Sequence, residues 1–202
     1  MKSQAERRSG TGSDHAVQLF DTAESLGESV AAFLSEGATT GDALLVVARG
    51  IHVEAITGAL EHRDVPARQL IDSGRLKMLD AVTVLRQLLL YGVPEEGRFN
   101  RVVGDLVGSL VADGRHLRVY GEMVDILAEQ TEFGAVLKLE ELWNTLSDRV
   151  SFTLLCGYAS AHFAPDSGSE RLREVCSCHD RVVKGQSDLL GSWLLAQQSL
   201  AN

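Results

Sequence analysis

The sequence predicts an α/β fold, a three-layer domain with a mostly parallel central sheet and helices on both faces. Three observations carry that expectation. Short apolar runs alternate with amphipathic helical stretches along the chain, at the spacing of βαβ units. The run "ALLVVA" (43–48) is apolar throughout, as in a parallel strand covered on both faces. With 202 residues, 45% of them hydrophobic, the chain suits one domain with a sizeable core.

The elements follow in order. Residues 1–13, "MKSQAERRSGTGS", are polar and read as a flexible leader without the apolar stretch of a secretory signal. "HAVQLF" (15–20) has strand composition. "DTAESLGESVAAFLSEG" then reads as a helix, with Asp21 as its cap and Glu24 three residues on. Leu26, Val30, Phe33 and Leu34 share one face, and Gly37 is expected to end it. After "ALLVVA", residues 52–63 read as helix, "RLKMLD" (75–80) as strand and "AVTVLRQLLLYG" (81–92) as helix. Residues 99–114 form another expected helix, closed by Gly114. "LRVYG" (117–121) is a strand that breaks at Gly121 into a helical stretch carrying Glu122 and Asp125. "AVLKLEELWNTLSDRV" (135–150) is the strongest helix, and "FTLLCGY" (152–158) the last clear strand. Residues 169–182 and 187–200 look helical, and "APDSGS" (164–169) is a loop.

Charge and motifs narrow the function. The net charge of -9 opposes binding to nucleic acid, which needs a basic face, and to an anionic membrane surface. No apolar run reaches the roughly 18 residues of a membrane span. Three cysteines and no export signal point to a reducing, cytoplasmic setting. A phosphate loop would follow "ALLVVA", and it needs glycines, a lysine and an adjacent hydroxyl. Of Lys2, Lys77, Lys138 and Lys184, only Lys2 precedes Ser or Thr, without glycines upstream. The dinucleotide turn and the serine nucleophile elbow are absent too. Neither an enzyme nor a bound cofactor is expected.

Two groups of side chains stand out. "CSCH" places Cys176, Cys178 and His179 together, with Cys156 on a strand elsewhere. Thiolate and imidazole suit zinc or copper, which makes a metal- or thiol-responsive sensor one reading. On a helix, however, positions 176 and 178 diverge by roughly 200°. The plainer reading has Cys176 in the core, Cys178 at the surface and His179 capping the helix end. The second group lies at the strand ends. Tyr120 and Tyr158 share the expected carboxyl edge of the sheet, Gly121 permits close approach, and Glu122 follows. Glu140, Trp143 and Asn144 share a helical face. If Arg118 reaches Glu122 or Glu140, the charges compensate each other and their role is structural. Otherwise they line an apolar cleft with a few polar groups fixing a small ligand. Catalysis by Glu122 and Glu140, or weak nucleotide binding at this edge, is the third reading. Trp143 is equally a core side chain by size.

The segments "LRVYGEMVDIL", "LKLEELWNTL", "FTLLCGYASAHF" and "EVCSCHDRV", in that order, resemble the MEDS domain. This is a sensory domain of methanogens and methylotrophs, attached to histidine kinases and transcription regulators. The start at "HAVQLF" and the segment "SGRLKMLDAVTVL" fit as well, so the resemblance covers about residues 14–182. It implies a relative of RecA- and KaiC-like ATPases that has lost the phosphate loop. It also implies signal input through a small molecule, such as a hydrocarbon derivative, rather than catalysis. The positions it carries over are His15, Arg118, Gly121, Glu122, Glu140, Asn144, Cys156, Tyr158 and His179. With Tyr120 and Trp143 they make up the expected ligand site, apart from Cys156 and His179, which join Cys176 and Cys178 as metal candidates.

Expected partners are a small-molecule ligand and a signalling protein such as a histidine kinase or transcription regulator, with a homodimer as a further option. No kinase core or DNA-binding domain lies within these 202 residues. Residues 183–202 carry Leu189, Leu190, Trp193 and Leu194 as an apolar stripe. Such a helix folds back on its own domain or docks on a partner.

Overall fold

The computed structural model describes residues 13–163 and 168–183. The leader and the terminal stripe expected at 187–200 lie outside the described residues. Six strands form one sheet in the order β3-β2-β6-β7-β1-β8, with every neighbouring pair parallel. They are β1 (Asp14–Phe20), β2 (Ala43–Ala48), β3 (Leu76–Asp80), β6 (Leu117–Gly121), β7 (Thr153–Ala159) and β8 (Arg181–Val183). This is the expected three-layer α/β/α arrangement.

Alternation along the strands builds two cores. Ala16, Leu44, Val46, Tyr120 and Leu155 point to one face. Helices α1 (Ala23–Thr40), α2 (Gly50–His62) and α3 (Ala67–Asp72) cover it. Val17, Leu45, Val47, Val119, Cys156 and Tyr158 point to the other. It is covered by α4 (Ala81–Leu88), α5 (Glu96–Phe99), α6 (Asp105–Leu110), α7 (Met123–Glu129), α8 (Phe133–Ser147) and α9 (Gly168–Ser177).

Several boundaries differ from the sequence expectation, each for a physical reason. Thr22, not Asp21, caps α1, in a reciprocal capping box with Ser25. Gly37 does not end that helix. It is buried within it, where a Cβ would lie 2.7 Å from Arg118 Cδ and 2.9 Å from Leu44 Cδ2. The left-handed Gly41 (φ 88°) ends the helix instead. Helix α4 stops at Leu88, because Tyr91 (φ 52°) and Gly92 (φ 82°) turn the chain. Leu89–Leu90, β4, then pairs with Val93–Pro94, β5, as a small hairpin. The helix expected over 99–114 starts at Glu96, passes through a π-helical turn at Asn100–Gly104 and ends at Leu110. Helix α9 ends at Ser177, and the chain continues into the edge strand β8. There the Asp180 N–H donates to the His15 carbonyl (2.7 Å) and its Oδ2 accepts from the His15 N–H (2.9 Å). The short α3 gives too few turns for a clear helical period and was not expected. Among the described residues no helix is long and apolar enough to cross a membrane.

Candidate functional site

Three features lie on this scaffold: a polar network at the carboxyl edge of the sheet, a buried His–Glu–Cys cluster, and an apolar cavity.

The edge network starts where β2 and β6 end. Glu122 and Asp125 are fully buried. Glu122 Oε2 meets His52 Nδ1 at 2.7 Å and accepts from the Tyr120 hydroxyl at 3.1 Å. Glu122 Oε1 accepts from the Arg49 N–H, at the amino end of α2. Asp125 accepts from the Ala159 N–H (2.8 Å) and pairs with Arg49 Nη1 (3.0 Å) and His162 Nε2 (2.9 Å). Burial raises the Asp125 carboxyl, against the opposing pull of the Ala159 N–H and the Arg49 charge. Burial and the Glu122 charge push the Tyr120 hydroxyl well above its usual range. The carboxylates beyond Gly121 are thus turned inward onto partners, and the edge is a knot that ties β2, β6 and β7 together.

Arg118 takes no part in it. It sits near the amino end of β6, where Nε meets Asp42 Oδ2 (3.1 Å) and Nη1 meets Glu36 Oε2 (2.8 Å). Its guanidinium lies 5.3 Å above the Phe33 ring. The ring facing Glu122 is therefore His52, and Glu140 faces two further histidines.

Those histidines form the second feature. One ligand atom from each of His15, Glu140, Cys156 and His179 lies within 4.8 Å of all the others. His15 and Cys156 come from β1 and β7, which pair in register. Glu140 projects from α8, and His179 from the turn between α9 and β8. His15 Nε2 is 3.3 Å from Cys156 Sγ and 3.3 Å from Glu140 Oε2. Cys156 Sγ lies 3.6 Å from Glu140 Oε2, and His179 Nε2 3.3 Å from Glu140 Oε1. The outer nitrogens are held too. His15 Nδ1 meets Asn144 Oδ1 at 2.8 Å, and His179 Nδ1 donates to the Val175 carbonyl at 2.7 Å. Asn144 Nδ2 donates to the Cys178 carbonyl (3.0 Å), which fixes its oxygen toward His15. The Tyr158 hydroxyl donates to Glu140 Oε1 (2.5 Å).

Electrostatics sort the roles. Burial alone would raise the Glu140 carboxyl, but the imidazoles of His179 and His15 outweigh it and hold the group below the usual carboxylate range. Burial and the neighbouring His179 lower the His15 imidazole, against the opposing pull of Glu140 and Asn144. Burial, with the Glu140 charge, pushes the Cys156 thiol and the Tyr158 hydroxyl well above their usual ranges.

The expected ligand residues are thus divided. Tyr120, Gly121 and Glu122 belong to the edge knot, and His15, Glu140, Asn144 and Tyr158 to the cluster. Trp143 packs edge-on against Phe99 and Phe152 in the core. Of the metal candidates, Cys156 and His179 join the cluster, whereas Cys176 and Cys178 do not. Cys176 packs against the core, and burial pushes its thiol up to about 11. Cys178 Sγ contacts the Glu174 carbonyl one turn back (3.5 Å).

The third feature was not legible in the sequence. An apolar cavity of about 230 Å³ lies between β2, β3, α4 and the π-helical turn. Leu45, Val47, Leu79, Val84, Val103 and Leu106 supply its walls, and Asp80, Thr83 and Gln87 its polar part. The polar three are exposed, so they mark its mouth. No residue of the expected ligand site lines it. Its walls look in sequence like ordinary core positions, and a shortfall of packing between elements leaves no local signal.

A model of the sensory domain described as "MEthanogen/methylotroph, DcmR Sensory domain" (MEDS) matches residues 14–180. A search of the curated proteins finds none that matches.

Proposed function

The chain belongs to the MEDS sensory-domain family, and on that premise we propose that it binds a small, largely apolar molecule and signals through protein contact. The observation that carries this reading is the cavity walled by β2, α4 and the π-helical turn. An apolar cavity of about 150 Å³ is enough to take benzene, so about 230 Å³ suits a hydrocarbon derivative of similar or slightly larger size. Asp80, Thr83 and Gln87 at the mouth would meet a single polar substituent. The π-helical turn in its wall is an irregularity of the kind found at functional sites.

An exit for the signal follows from the same elements. Helix α4 leads directly into the β4–β5 hairpin, whose Tyr91 is 96% exposed. Leu90 and Val93 beside it are exposed as well. A ligand that shifts α4 would move this apolar tip, which offers a signalling partner such as a histidine kinase or regulator a contact. The reading is non-enzymatic. In a RecA-like relative the phosphate would approach the amino end of the helix after β2. Here the Glu122 carboxylate accepts from the Arg49 N–H at that end, which disfavours an anion.

The test is thermal unfolding of the full chain with benzene and short-chain alcohols. A ligand at one hundred times its Kd stabilises by about 2.7 kcal/mol, so a clear rise in Tm is expected. Val103→Phe, which places a ring in the cavity, should abolish the rise while the protein still unfolds cooperatively. A rise that persists in Val103→Phe, or none with any probe, would contradict the reading.

A further inference from the structure

We propose that His15, Glu140, Cys156 and His179 form a closed, four-ligand site for a zinc-class divalent cation. The site is separate from the apolar cavity and shares no residue with it.

Geometry comes first. Zinc bonds of about 2.0–2.3 Å to nitrogen, oxygen and sulfur imply tetrahedral edges of about 3.3–3.8 Å. The contacts of 3.3, 3.3 and 3.6 Å among His15 Nε2, Glu140 Oε2 and Cys156 Sγ fall in that range, and His179 Nε2 stands 3.3 Å from the other carboxylate oxygen, Oε1. The remaining separations, up to 4.8 Å, require only a small inward movement of His179.

Second, both imidazoles are oriented as ligands. Each engages a backbone or amide oxygen through Nδ1, which directs Nε2 inward. This is the outer-shell arrangement that fixes the tautomer of a metal-bound histidine.

Third, one inward-facing ligand atom is left without a partner. His179 Nε2 is buried and has no hydrogen-bond partner among the described residues. With Nδ1 engaged by the Val175 carbonyl, it faces the Glu140 carboxylate at 3.3 Å. A divalent cation between them would give both atoms a partner. The Cys156 thiol gives up its proton to solvent on binding. One carboxylate and one thiolate then balance the two positive charges, which leaves the buried site neutral, as burial requires. Two nitrogens, one oxygen and one sulfur suit zinc.

All four positions of the tetrahedron are filled by protein, the mark of a structural rather than a hydrolytic site. The ligands come from β1, α8, β7 and the turn before β8. The cation would therefore staple the edge of the sheet to α8 and make the placement of residues 178–183 depend on metal.

The experiment uses tag-free full-length protein stripped with a chelator. Titration with Zn²⁺ alone should show one ion bound per chain and a rise in Tm. Cobalt(II) in the same protein should give tetrahedral visible absorption and a thiolate-to-metal charge-transfer band. Cys156→Ser and Glu140→Gln should each weaken zinc binding more than about 100-fold, beyond what loss of a supporting partner produces. Cys178→Ser, adjacent in sequence to His179 but outside the cluster, should leave it within about twofold. The cobalt spectrum needs no variant, so the test stands even if Cys156→Ser fails to fold. Absence of stoichiometric zinc, a cobalt complex without the thiolate band, or unchanged binding in a folded Cys156→Ser protein would overturn the assignment.

Discussion

Glu122→Ala is expected to destabilise the protein by about 3–5 kcal/mol, because it leaves several partners without their acceptor at about 1–3 kcal/mol for each buried one. Three groups depend on this carboxylate: His52, the Tyr120 hydroxyl and the Arg49 N–H. Tyr120 is fully buried, so its hydroxyl would be left without its acceptor, and the amino end of α2 would lose its negative partner. Glu122→Gln keeps oxygen and volume in place and should cost clearly less. Urea unfolding checks both, as a lower midpoint at unchanged m. A loss below about 1 kcal/mol in Glu122→Ala would show that the edge is not the knot described above, and would leave Glu122 available for ligand.

Trp143→Ala should cost about 3–5 kcal/mol, as for other large aromatic truncations. The side chain is 1% exposed. Its ring meets Phe99 edge-on at 5.3 Å and Phe152 at 5.9 Å, geometries that add to the area term. Phe99 ends α5 and leads into the π-helical turn, and Phe152 precedes β7. One indole thus joins α8 to both the cavity wall and the sheet. Trp143→Phe should recover most of the loss. If Trp143→Ala instead unfolded at the wild-type midpoint, the indole would be a ligand contact rather than core.

The five longer strands were legible from apolar runs such as "ALLVVA", covered on both faces, whereas the three-residue edge strand β8 fell in a stretch that reads as helix. Helix ends were less so, because tertiary contacts set them. Gly37 reads as a stop, yet it is small to let Arg118 and Leu44 pass. "LLLYG" continues a helical pattern, yet Tyr91 and Gly92 turn it into a hairpin. The candidate sites were legible as residues but not as groupings. "CSCH" draws the eye by adjacency, yet His179 is brought to His15, Glu140 and Cys156 by strand register and by the turn into β8. Arg118, Glu122 and Glu140 read as one edge, yet Arg118 sits at the opposite end of its strand. Asp125 was visible beside Glu122, but its partners Arg49 and His162 lie on other elements.

Entry of a small apolar molecule between α4 and the π-helical turn is open to methyl-resolved NMR of the full chain, titrated with benzene. Saturable shifts are expected at Leu45, Val47, Val84, Val103 and Leu106, which wall the cavity, with smaller ones at Leu90 and Val93 in the hairpin. Saturable shifts that leave these methyls untouched, or no saturable shift at all, would contradict it.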